Sequence, residues 1–113
     1  MLPHDLEHYL QEISRVLRPG GCSFITYFLL NDEVRERISQ GHASIPFTKQ
    51  LDGYWVTQRD REEGAVAYDL AWVRDLHQKH SIPIREPIYH GQWSGAQSDI
   101  TWQDIVIAVK RVF

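Results

Sequence analysis

The first thirty residues constrain the fold most. Leu6, Tyr9, Leu10, Ile13, Val16 and Leu17 recur at helical spacing, so the segment Leu6–Leu17 is a helix with one apolar stripe. Arg18-Pro19-Gly20-Gly21 stops it, because proline cannot continue a helix and the glycines accept turn geometry. The run from Phe24 to Leu30 follows, nearly unbroken in its apolar character, which is the pattern of a strand covered on both faces. A helix that stops at Pro-Gly-Gly and feeds a buried strand is half of an α/β unit.

The rest of the chain extends that unit. Asn31 is placed to cap a short helix with Asp32 and Glu33 in its first turn, ending at Gly41. The stretch from His42 to Gly64 is irregular, with one short strand expected at Tyr54-Trp55-Val56-Thr57. A connection of that length in a compact domain is a lid, a binding loop or an insertion. Helical spacing returns from Ala65 to His80, with Leu70, Val73 and Leu76 or His77 on one stripe. Ile82 to Tyr89 reads as a strand, and Pro83 and Pro87 confine it to a sheet edge because proline donates nothing to a ladder. Gly91 to Thr101 is a turn-rich connection carrying Trp93 and Gly95. Ile105-Val106-Ile107-Ala108-Val109 is continuously apolar and β-branched, hence a central strand.

Composition removes several classes of function. At 113 residues the chain suits one domain with one core. A net charge of −3 provides no basic field for nucleic acid. No stretch is long and apolar enough to span a membrane, and the start lacks a signal peptide's pattern. Cys22 is the single cysteine, opening the expected buried strand, so no internal disulfide forms and a reducing cytoplasm is the expected compartment.

With the last strand interior and the preceding one at the edge, the expected sheet order is first-third-second, the last strand running antiparallel between two parallel ones. That order is similar to the distal end of the sheet in class I S-adenosylmethionine-dependent methyltransferases. The local phrases resemble the family too: His4 to Leu10 running through Arg15-Val16-Leu17-Arg18-Pro19-Gly20-Gly21, then Ala65 to Asp69, Tyr89 to Gly95, and Gln103 to Lys110. They resemble one bacterial small-molecule branch and together cover nearly the whole chain. The resemblance implies an α/β fold of partial Rossmann-like type, flanked by helices, in a single domain over residues 1–113. It also implies a departure. The family's cofactor rests on a glycine-rich turn after a strand and on an acidic residue after the next strand. Here no G-x-G follows a strand. The cofactor half is therefore expected to be missing. The chain reads as the C-terminal half of a methyltransferase for an unknown small molecule, truncated and inactive by itself, with no S-adenosylmethionine bound. The alternative is a non-enzymatic α/β interaction module that has lost cofactor binding.

No residue stands out as catalytic. His4 and His8 share the i, i+4 spacing of a helical metal pair, but they lie opposite the apolar stripe with no third ligand nearby, so a solvated face is expected and no metal. The resemblance puts His4 near the cofactor's adenine in the intact enzyme, a peripheral contact at most. His77 and His80, near a helix end, are expected to answer the helix dipole. Tyr27 and Phe28 point to opposite faces near the carboxyl end of the first strand, and Trp93 lies in a loop at the same sheet end. These three are the candidates for an acceptor pocket; packing beneath loops is the plain alternative. Without the family's neighbouring strand, the edge from Phe24 to Leu30 is open to another chain. A homodimer through that edge or through the helix Leu6–Leu17 is expected.

Overall fold

A computed structural model describes residues 3–43, 47, 49–51, 54–56, 66–95 and 101–112. Among these residues the architecture is mixed α/β with three α-helices. The elements are α1 (Pro3–Val16), β1 (Cys22–Tyr27), β2 (Leu29–Leu30), α2 (Asp32–Ser39), β3 (Lys49–Leu51), β4 (Tyr54–Val56), β5 (Tyr68–Asp69), α3 (Leu70–Lys79), β6 (Ile84–Tyr89) and β7 (Asp104–Val109), with a short 3-10 turn at Gln92–Ser94. The central sheet is β1-β7-β6, with β7 antiparallel to both neighbours. β2 pairs in parallel with β5, and β3 with β4 antiparallel. The interior position of β7 and the edge position of β6 agree with the sequence reading. No described helix is long and apolar enough to cross a membrane.

The turns follow from local chemistry. The N–H of Gly21 bonds to the Arg18 carbonyl at 2.8 Å while Gly20 sits at φ +82°. With Pro19 before it, this is a type II turn, in which the second central residue must have positive φ. Asn31 caps α2 as expected, its Oδ1 accepting the Val34 N–H at 2.8 Å. At the other end Gly41 has φ +77°; its N–H bonds to Ile38 and that of His42 to Arg37, closing a Schellman motif.

The core lies on one side of the central sheet. Leu6 and Leu10 of α1 and Val73 and Leu76 of α3 pack with Ile25, Tyr27, Ile88, Val106 and Ala108. Leu10 and Val73 are wholly excluded from solvent, each worth ~2 kcal/mol of apolar transfer. Of the predicted stripe of α1, Tyr9 and Val16 remain largely exposed. Lys110 from the end of β7 reaches over, its Nζ donating to the carbonyls of Ser14 and Leu17 at the end of α1. A second cluster gathers Leu30, Val34, Phe47, Ala67 and Trp93, with Phe28 against it.

Five expectations are corrected. The strand predicted from Phe24 to Leu30 is broken at Phe28. The ladder with β7 ends at the Tyr27–Asp104 pair, and the Leu29 N–H is taken by the Asp104 side chain at 2.7 Å. The chain then turns to pair with β5. β1 is also not covered on both faces: Ile25 and Tyr27 are buried, whereas Cys22, Phe24 and Thr26 are exposed. Both core-forming helices pack on the same side; on the other side Phe24 stays exposed, while Ile105 of β7 is buried. Cys22 is thereby an exposed thiol rather than the start of a buried strand. Finally, the helix expected from Ala65 begins only at Leu70, because Tyr68 and Asp69 are held extended by β2, with the Tyr68 N–H on the Phe28 carbonyl. The strand expected from Ile82 likewise starts at Ile84, since Ser81, at φ +63°, and Ile82 close the end of α3. Of the proposed lid from His42 to Gly64, most lies outside the described residues, as does Thr57; its described parts are His42, Ala43, Phe47, β3 and β4.

Candidate functional site

The carboxyl ends of the parallel pair β2–β5 open into a groove, where α2 and α3 also begin. In α/β proteins this is the usual position for ligands. The groove has a volume of about 670 Å³ and is open to solvent. Leu30, Leu70 and Trp72 provide its apolar surface, while Asp32, Asp75 and Arg74 contribute charge. Arg35 ion-pairs with Asp69 and, at 3.4 Å, with Asp32, and its guanidinium lies over the Trp55 ring at 5.8 Å. Arg74 is paired with Glu86. Behind the groove, Tyr68 stacks on Trp72 with ring centroids 5.5 Å apart. Among the described residues the buried Tyr68 hydroxyl has no hydrogen-bond partner, and burial pushes its pKa up to about 12. Among the described lining residues there is no histidine, cysteine or hydroxyl group. An aromatic wall with fixed charges suits recognition of a small polar molecule.

Two buried polar centres flank this region, and the sequence reading singled out neither as such. The first is Asp104, fully buried at the start of β7. One carboxylate oxygen accepts the Leu29 N–H at 2.7 Å and the Trp93 Nε1–H at 3.0 Å; the other accepts the Gly91 N–H at 2.7 Å. Burial raises its pKa, while the three donors act in the opposite direction. The His90 Nδ1 lies 3.8 Å from it. Asp104 thus joins three segments distant in sequence. The only hint in the chain was an acid opening an otherwise apolar β-branched run.

The second is His77, also fully buried. Its Nδ1 is 3.0 Å from the Ile82 carbonyl and its Nε2 is 2.8 Å from the Tyr27 hydroxyl. A carbonyl only accepts, so Nδ1 carries the proton and Nε2 accepts from the tyrosine. The Ile82 N–H returns a bond to the His77 carbonyl, which closes the end of α3. Burial pulls the His77 pKa down. The expectation that His77 answers the helix dipole is therefore corrected: it is a neutral group tying Tyr27 to the helix end. His80 instead meets Glu7 at 2.9 Å, together with Lys79 at 2.6 Å, and these bonds lower the Glu7 pKa.

The acceptor-pocket candidates separate. Tyr27 belongs to the main core with His77. Phe28 and Trp93 meet in the second cluster at 5.3 Å, and Trp93 is wholly buried. None of the three lines the groove. His4 and His8 are exposed on α1, and no group of three potential ligands suited to a metal occurs among the described residues.

The fit to S-adenosylmethionine can be judged from the glycines, whose N–H groups would cradle the cofactor's methionine part. Every described glycine spends its N–H inside the chain: Gly20 on Lys110, Gly21 on Arg18, Gly41 on Ile38, Gly91 on Asp104 and Gly95 on Gln92. A side chain at Gly91 would collide with the Trp102 carbonyl at 2.2 Å, so that glycine serves close backbone packing. Among the described residues no glycine amide is left over for such a cradle. A scan of protein-family models gives no match to this chain, and no solved structure matches it.

Proposed function

We propose that this chain is the C-terminal half of a class I S-adenosylmethionine-dependent methyltransferase acting on a small molecule, inactive by itself. The observation that carries this reading is the order of the central sheet, with the last strand inserted antiparallel between two mutually parallel ones. Beside it stands the resemblance of the segments around Pro19-Gly20-Gly21, Tyr89 to Gly95 and Gln103 to Lys110. In this reading the acceptor is held at the β2–β5 groove, with Trp72 as the aromatic wall and Arg35 and Asp69 as polar contacts. Tyr27 and Trp93 then shape the region from behind, through His77 and Asp104. The cofactor half lies in sequence N-terminal to these residues.

The coding sequence upstream of the Met1 codon tests this most directly: we expect an in-frame stretch encoding D-x-G-x-G. A second test is isothermal titration of S-adenosylmethionine into the 113-residue protein. With all described glycine amides already bonded, no micromolar binding is expected, and binding at that level would sink the proposal. The use of every described glycine amide inside the chain also favours the alternative of a non-enzymatic interaction module. A ribosome-binding site directly before Met1, with no D-x-G-x-G upstream, would decide for it.

A further inference from the structure

The two edges of the central sheet are built differently. The β6 edge carries Arg85, Glu86 and Pro87, and its pairing with β7 loses register between Arg85 and Tyr89. Charge, proline and irregularity are the devices that keep an edge from pairing with another chain. The β1 edge has none of them. Its sequence, Cys-Ser-Phe-Ile-Thr-Tyr, contains no charge and no proline, and its six pairs with β7 run without a break. Among the described residues no strand occupies its other side.

The direction of the free groups follows from the ladder. The Lys110 N–H bonds to the Gly21 carbonyl, and in an antiparallel pair the bonded positions alternate. Ser23, Ile25 and Tyr27 therefore turn their backbone groups toward β7, while Cys22, Phe24 and Thr26 present theirs at the open edge. The side chains of these same three residues are exposed, Phe24 to 69%. We propose that two copies of this chain join through β1, antiparallel about a two-fold axis beside Phe24. Around that axis Phe24 faces Phe24, and Cys22 faces Thr26 in both directions, so the outward N–H and C=O groups of each strand meet their complements. With no charge on the strand, no like charges are opposed. The result is a continuous six-stranded sheet whose exposed apolar residues meet at its centre. This pairing belongs to the 113-residue chain by itself, since the neighbouring strand of a methyltransferase's cofactor half would compete for the same β1 edge.

The register makes the test specific. Within one chain, positions 22 and 26 are ~13 Å apart along the strand, too far for a disulfide. Across the proposed axis they are ~5.5 Å apart, within disulfide range. Two native Cys22 thiols, by contrast, are kept ~13 Å apart by the axis. Light scattering of the wild-type protein at high micromolar concentration is expected to give a dimer. Treatment with diamide, a two-electron thiol oxidant, is expected to convert Thr26→Cys into a covalent dimer while the wild type stays uncrosslinked. Phe24→Lys sets two ammonium groups against each other and is expected to raise the dissociation constant by about tenfold or more, with unfolding of the monomer little changed. A wild-type monomer under these conditions overturns the proposal. So does a dimer in which Thr26→Cys crosslinks no faster than the wild type.

Discussion

Two aromatic clusters separate at the Tyr27–Phe28 step, and each is organised by one buried ionisable residue. On one side Tyr27 joins Tyr68 and Trp72 around neutral His77; on the other Phe28 joins Phe47 and Trp93, held by the Asp104 carboxylate. The two solve the same problem by opposite means. His77 avoids the cost of a buried charge by staying neutral, and its two nitrogens need only one donor and one acceptor. Asp104 offsets that cost with three N–H donors drawn from β2, from Gly91 and from Trp93. A charge satisfied by distant segments holds topology; a neutral relay holds one helix end and one strand.

The comparison predicts unequal costs of breaking each centre. Asp104→Ala strands three buried donors at once and is expected to lose about 4 kcal/mol of unfolding free energy in urea titration. A loss below that of any His77 variant would mean that Asp104 does not organise its side of the fold. His77→Phe keeps an aromatic ring, somewhat larger, but leaves the Tyr27 hydroxyl and the Ile82 carbonyl unpaired, with an expected loss of about 2 kcal/mol. Tyr27→Phe removes the tyrosine partner alone and should lose about 1 kcal/mol. Because His77 and Tyr27 share one bond, the double variant should lose less than the sum of the two. Strict additivity would show that the relay does not exist.

The smallest effect is on pH dependence. His77 has its folded pKa lowered from 6.5 by burial. As pH falls through 6.5 the unfolded chain binds a proton that the folded chain refuses, so the contribution of this residue is complete above that value and is lost toward acid. The wild type should lose stability more steeply below about pH 6.5 than His77→Phe, which shares every other titrating group. Parallel stability curves for the two proteins would place a charged imidazole in the core.

Much of the chain was legible from local chemistry. The stop at Pro19-Gly20, the Asn31 cap, the Gly41 closure, the edge placement of β6 and the interior placement of β7 rest on proline's missing donor, glycine's positive φ, a side-chain oxygen at a helix start and runs of β-branched residues. These act within a few residues, so the sequence alone determined them. The break at Phe28, the single covered side of β1, the exposure of Cys22 and the burial of His77 were decided elsewhere. Leu29 leaves the ladder because a carboxylate 75 positions away takes its N–H, and His77 is neutral because burial disfavours its charge, its Nε2 being satisfied by the hydroxyl of Tyr27, 50 positions away. An apolar run such as Phe24 to Leu30 records that a strand can be covered on both faces, but coverage is a property of what packs against it. The same holds for the groove: Trp72, Arg35 and Asp69 carry no shared pattern in the chain, and only the parallel pairing of β2 with β5 brings them to one place.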